Sequence, residues 1–461
     1  MVRFLAIKLT IIGAGSLIWG STIIHDLCLT PGLSGSTVAL VDTNSERLET
    51  IYNFARRYAG EKKFDIRFEN VFDRREAIRD SDIVINIAMA KGHQYYEKMR
   101  TISEKYGYFR GINSVEWNMV SDYHTIWGYY QFKLALDIAK DVEELSPEAW
   151  LLQLSNPVFE LTTLISREFN VKIIGICHGH LESREITRTL GLNENETEIE
   201  SLGVNHTIWM NRFKNKGEDA YPIFNEWIDK NYESYYRNWL ASAKSNPFNN
   251  QMSPVMIDMY RTYGLAPIGD TVRSGTWKYH RNLKTKKKWY GPMGGFDSAT
   301  GWKYYLDMEE RSIENIKNAL RNQNFLLSQL FPSGISDEPV TPIIESLANG
   351  TEGIHQVNIM NNGSMSGIAN NVAVEVPAIL DSKGVHRFPE RQLPRKVLNF
   401  SISPRIQRME WALEAFLEGG RSTLIEWLMS DPRTKNDKQA EAISNELLSM
   451  QGNEEMKKHF R

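Results

Sequence analysis

The sequence predicts an α/β fold, with an N-terminal Rossmann-like parallel sheet over residues 1–198 and a second α+β domain over residues 199–461. Three observations carry the prediction. The chain opens on an apolar run that ends in a glycine turn, Leu9-Thr10-Ile11-Ile12-Gly13-Ala14-Gly15-Ser16. Apolar runs and amphipathic stretches then alternate in a βαβ manner as far as Ile176. Beyond about residue 200 the alternation fades into aromatic and helical segments, so 461 residues divide better into two parts than one core.

The elements follow in order. Leu9–Ile12 reads as the first strand, and Leu17–Thr30 as a helix that Pro31-Gly32 ends. Ser36–Val41 is β-branched and apolar, as a strand buried on both faces should be. Asp42 stands at its end, 27 residues after Gly15, where a carboxylate binds adenosine ribose hydroxyls and favours NAD+ over NADP+. Ser45–Ala59 is a helix, Ile66–Glu69 a strand, Asp73–Arg79 helical and Ser81–Ala88 a fourth strand. Two further strands follow: Leu151–Leu154 leads to Ser155-Asn156-Pro157, and Ile173–Ile176 leads to Cys177. Each polar or reactive group thus follows an apolar strand, where open α/β sheets bind ligands. Gly13, Gly15, Ser16, Asp42 and Ala88 are the candidate cofactor contacts. Ile18 stands where the third glycine of the dinucleotide fingerprint is expected, so the motif gains its weight from its setting.

In the second part, Tyr221–Tyr236, Pro254–Tyr263, Gly301–Gln323 and Pro404–Leu417 read as helices. Ser201–Phe213, Gln356–Asn361 and Val372–Pro377 read as strands, and Lys284–Lys288 as a solvated hairpin or loop. Lysine and arginine number 54 against 57 acidic residues, which points away from nucleic acid and anionic membranes. No apolar run is long enough to span a bilayer, and the apolar start is expected to be a strand and not a signal peptide. Cys28 and Cys177 are the two cysteines, too few for a disulfide framework and in keeping with a reducing cytoplasm.

Cys177-His178-Gly179-His180 and Gly203-Val204-Asn205-His206 hold the chemistry-bearing groups. A thiolate and an imidazole suit a divalent transition metal. Cys177 and His206 are 29 residues apart, outside zinc-finger spacing, and a buried small hydrophobe and a core histidine are their plain alternatives. Cys28, mid-helix between Leu27 and Leu29, is read as packing.

The glycine turn, Asn156-Pro157, Cys-His-Gly-His, Gly-Val-Asn-His and Pro267-Ile268-Gly269-Asp270-Thr271-Val272-Arg273 together resemble glycoside hydrolase family 4. Tyr106–Gly111, Met119–Tyr123 and Arg405–Glu410 extend the resemblance nearly end to end. Gly294-Gly295-Phe296-Asp297-Ser298 and Gly301-Trp302-Lys303 bring it closest to the branch of α-glucosidases acting on unphosphorylated maltosides. The family is a known exception to two-carboxylate glycosidases. The resemblance implies a lactate/malate dehydrogenase-like sheet, NAD+ and a divalent metal, Mn2+ in most of the family. It also implies a retaining route: oxidation of the sugar C3 hydroxyl, removal of the C2 proton, loss of the glycosidic oxygen, addition of water and return of the hydride. Cys177 and His206 are then the metal ligands, and Asp270 the base. Asp122 and His178 are candidates for the acid/base group at the leaving oxygen, and Asn156 and Arg273 for substrate contacts. A helix N-cap, a loop cap and an ordinary Asn-Pro turn are the plain alternatives for Asp122, Asp270 and Asn156, and a structural ion pair is an equal alternative for Arg273. The expected substrate is a small glycoside or oligosaccharide, and the expected assembly a homodimer or homotetramer. α-Glucuronides or α-galacturonides are the alternative substrates. A lactate/malate-type dehydrogenase is a more distant alternative, because it needs no thiolate–metal site.

Overall fold

The computed structural model describes residues 6–108, 128–244, 246 and 251–461. Its first six strands are β1 Lys8–Ile12, β2 Thr37–Val41, β3 Arg67–Asn70, β4 Ile83–Asn86, β5 Trp150–Gln153 and β6 Lys172–Gly175. They pair in parallel in the order β3-β2-β1-β4-β5-β6, the doubly wound Rossmann arrangement. Ile12 pairs with Val41 and Asn86, Asn86 with Gln153, and Gln153 with Gly175. The carboxyl ends are therefore level, and Gly13, Asp42, Ile87, Leu154 and Ile176 leave the sheet along one edge. The strand order reverses between β1 and β4, which opens the ligand crevice there.

The sheet continues past β6 with antiparallel strands: β7 Thr197–Val204, β8 Thr207–Asn215, β9 Glu218–Asp219, β10 Pro267–Ile268, β11 Gly353–Met360, β12 Ala373–Asp381 and β13 Gly384–Arg387. Order β6-β11-β12-β7-β8-β10 joins both halves into one sheet, through Asn358 opposite Gly175 and Glu375 opposite Gly203. The division expected at 198/199 falls inside β7 and cuts a paired strand. The single strand expected over Ser201–Phe213 is a hairpin, with Asn205-His206 as its turn between Val204 and Thr207. Lys284–Lys288 is also corrected: it lies in a helix, Leu283–Tyr290, whose Lys286 is buried and donates to the Asp297 carbonyl. The apolar face around it draws these residues into regular structure despite their charge.

Other helices fall close to expectation: Leu17–Leu27, Ser45–Lys62, Tyr221–Ser242, Pro254–Tyr263, Ala299–Arg321 and Ser403–Glu418. Cys28 lies in the core at 2% exposure, as a packing residue should. Among the described residues no helix is long and apolar enough to cross a membrane.

Arg405, from the Ser403–Glu418 helix, forms a fully buried ion pair with Glu160 (2.5 Å) over the Phe159 ring. Arg405→Met leaves Glu160 buried without its cation, so stability is expected to fall by about 3–5 kcal/mol. A urea midpoint unchanged from wild type would contradict this.

Candidate active site

One large cavity, about 1460 Å³, runs along the carboxyl edge. At one end stand Gly13, Gly15, Ser16, Asp42 and Ala88, and the same cavity is lined by Asn156, Cys177, His178, His206 and Asp270. Gly13 adopts φ +89°, and a Cβ there would come within 2.5 Å of the Ala88 Cα. The turn can therefore hold only glycine, and it presents bare backbone to the crevice. Asp42 accepts from the Gly15 N–H (2.9 Å) and the Asn44 N–H (2.8 Å), which fixes its carboxylate at the end of β2.

Cys177 follows β6, and Gly269 brings the next loop against it. At Gly269, φ is +59°, and a Cβ would lie 2.5 Å from the Gly179 carbonyl oxygen, so the loops carrying Cys177 and Asp270 touch backbone to backbone. His206 comes from the β7–β8 turn with φ +61°, and Ser274 Oγ donates to its carbonyl (2.5 Å). His206 Nε2 lies 3.2 Å from Asp270 Oδ2. Thus the structure brings together Cys177, His206 and Asp270, which the sequence separates by up to 93 residues.

The electrostatics sort these groups. Burial, then the positive charge of Arg405, pushes His206 down to about 3, so its imidazole is neutral, the form that binds metals. Burial pushes the Cys177 thiol well up, and the carboxylates of Glu375 and Asp270 push the same way. A divalent cation beside it would reverse that balance. Asp270 is raised by burial and then by Asp297. For His178, burial acts to lower the pKa, but the hydrogen bond to Glu338 together with the negative charges of Glu338, Asp270 and Glu182 outweighs it, and the group reaches about 9.

Arg273 requires a correction. Expected as a substrate contact, it is buried behind Asp270, to which Nε (3.1 Å) and Nη2 donate, while Nη1 donates to Asp297 (3.0 Å). The guanidinium also sits 4.7 Å from the Phe296 ring centroid. Its donors go to carboxylates, so it orients Asp270. The Gly294–Ser298 motif supplies both Phe296 and Asp297 to this support.

His178 Nδ1 lies 2.9 Å from Glu338 Oε1, and its ring stacks on Trp19 (5.5 Å, 16°). Asn156 lines the cavity from the turn after β5, and its Oδ1 accepts weakly from the Val158 N–H (3.4 Å). Asp122 lies outside the described residues. Sequence reasoning missed Glu338 and Glu375. Glu338 sits in an irregular segment held by Asp26, which accepts from the Ser336 N–H (2.8 Å) and Oγ–H (2.5 Å). No motif marks either glutamate. Among the described residues no three His, Cys, Asp or Glu side chains form a metal-holding group.

Comparisons with known proteins identify the family. The family 4 glycosyl hydrolase model matches residues 8–192, and the model of that family's C-terminal domain matches residues 201–434. An α-galacturonidase of Thermoanaerobacter italicus is 25% identical, over 96% of this chain and 95% of its own length. An α-glucosidase of Erwinia rhapontici is 23% identical, over 93% and 94%. A 6-phospho-α-glucosidase from gut microorganisms, solved in complex with NAD and Mn2+, superposes with a TM-score of 0.74 at 18% identity, covering 96% of this chain and 98% of that one. Two family models that together span most of the chain decide the matter: it belongs to the family 4 glycosyl hydrolases.

Proposed function

We propose that the chain is an NAD+- and divalent-metal-dependent α-glycosidase that hydrolyses small, unphosphorylated α-glucosides of the maltose type with retention. The observation that carries this reading is the single cavity shared by the dinucleotide turn and the Cys177–His206–Asp270 group. The residues fit both groups: a glycine cradle and Asp42 suit NAD+, and a half-buried thiol in the same cavity as a neutral imidazole suits a divalent transition cation. When bound, NAD+ takes and returns a hydride at the sugar, and the cation supplies Lewis-acid polarisation.

The remaining roles belong to the chain's own side chains. Cys177 and His206 hold the cation. Asp270, oriented by Arg273, accepts the C2 proton, and its raised pKa suits a base working near neutrality. His178, braced by Glu338, and Asp122 are the groups proposed to serve the leaving oxygen, and Asn156 to hold a sugar hydroxyl.

An uncharged sugar is favoured because, among the described residues, Arg273 and His178 beside Asp270 are already engaged by carboxylates. α-Galacturonide hydrolysis is the second reading, favoured by the name of the Thermoanaerobacter italicus relative. Parallel assays of p-nitrophenyl α-glucoside and α-galacturonide, with and without NAD+ and Mn2+, separate them. Turnover of the galacturonide alone would overturn the glucoside reading.

Asp42 is expected to select NAD+ over NADP+, since its carboxylate opposes a 2′-phosphate. Asp42→Ala should narrow the preference by roughly tenfold or more, the scale of a removed like-charge clash. Equal binding of both cofactors by the wild type would contradict it.

A further inference from the structure

Glu375 is a carboxylate buried to 1% exposure in β12, opposite Gly203 of β7. Its Oε2 accepts from Asn205 Nδ2 (2.8 Å), and Asn205 is itself 2% exposed. The Asn205 side chain also lies close enough to the Cys177 thiol to favour its thiolate. Oε1 is buried with no aligned donor, although the Asn358 and Gln356 amides lie beside it. Among the described residues, no lysine, arginine or histidine lies within ion-pair distance of this carboxylate. Burial raises this carboxyl to about 7 and leaves one oxygen unpaired, a cost that sheet pairing alone does not account for. Its place does: it stands at the seam that joins the strand leading to Cys177 with the hairpin carrying His206.

We propose that Glu375 is a positioning residue for the metal site, fixing the Asn205 amide and through it the direction of the Cys177 sulfur toward a divalent cation. This rests on the reading of Cys177 as a metal ligand. Glu375 is not proposed as a ligand, since it is not among the residues that line the cavity Cys177 faces. Groups of this kind, one hydrogen bond removed from a metal, typically change affinity 10–100-fold when lost.

The test uses the full-length protein titrated with Co2+, following the thiolate-to-cobalt absorption band, with NAD+ binding by fluorescence and thermal unfolding as controls. Glu375→Ala and Asn205→Ala should each weaken Co2+ binding about 10–100-fold and shift or weaken the band while NAD+ still binds. Glu375→Gln, which is isosteric and keeps an acceptor for Asn205, should stay within about threefold of wild type. The double alanine variant should lose no more than the worse single variant, because both changes break one chain of contacts. Wild-type affinity and band in Asn205→Ala and Glu375→Ala, or strictly additive losses, would overturn the proposal. Should Glu375→Ala fail to fold, Glu375→Gln and Asn205→Ala decide it: equal loss in Glu375→Gln overturns positioning. A wild type with no cobalt–thiolate band overturns the metal reading itself, and the proposal with it.

Discussion

Cys177→Ser is expected to abolish glycoside hydrolysis while leaving NAD+ affinity within about twofold of wild type. Serine keeps the size of the side chain but replaces a soft thiolate by a hydroxyl that does not ionise at neutral pH and is a poor ligand for a transition metal. Lewis-acid stabilisation is worth several kcal/mol, and a loss of about 4 kcal/mol is roughly a thousandfold in rate. NAD+ should be spared because its proposed contacts, from Gly13 to Asp42 and Ala88, do not include the Cys177 side chain. Oxidants should inactivate the wild type, and thiols with fresh Mn2+ should restore it. A Cys177→Ser enzyme that keeps most of its activity at saturating Mn2+ would refute the ligand assignment.

Asp270→Asn removes the proposed base while preserving shape, so a fall of about 10²–10⁴-fold in kcat is expected. Binding of Mn2+ should hold, since Cys177 and His206 are intact. The pH profile gives the sign: the base must be ionised to act, so wild-type kcat should rise with pH through the raised pKa of this group. That acidic limb should be missing from whatever activity Asp270→Asn retains. An Asn variant with wild-type kcat, or one that retains the acidic limb, would show that another group takes the proton.

Much of the fold was legible in the sequence because its parallel strands are buried on both faces and so read as apolar runs, as in Ser36–Val41 and Ile83–Asn86. The residues after those strands, Gly13, Asp42, Asn156 and Cys177, were legible for the same reason, since level strand ends put them on one edge. The irregular glycine fingerprint also has a local explanation. A Cβ at Gly20 would meet the Ala14 carbonyl oxygen at 2.4 Å, so Gly20 permits the close helix–turn packing that Ile18 does not supply.

What was not legible depends on long-range pairing. Cys177 and His206 come to line one cavity through β11 and β12, inserted between β6 and β7 although they lie some 180 residues further along the chain (358 against 175). The turn at Asn205-His206 was hidden because the strand pattern runs through it without a glycine or proline at its tip. Charge alone left Arg273 open between a substrate contact and a structural ion pair, and Asp270 and Asp297 claim its donors. Glu375 and Glu338 carry no local signature, and only packing reveals them.

The central claim is that the glycosidic bond breaks by elimination after oxidation of the sugar, and hydrolysis in D2O tests it most directly. Carried out with NAD+ and Mn2+, the reaction should place deuterium at C2 of the released sugar. NADH should not build up with turnover, because each cycle returns the hydride to the sugar. Direct displacement leaves the C2–H bond intact. Released sugar free of deuterium at C2, or NADH accumulating in proportion to product, would contradict the account.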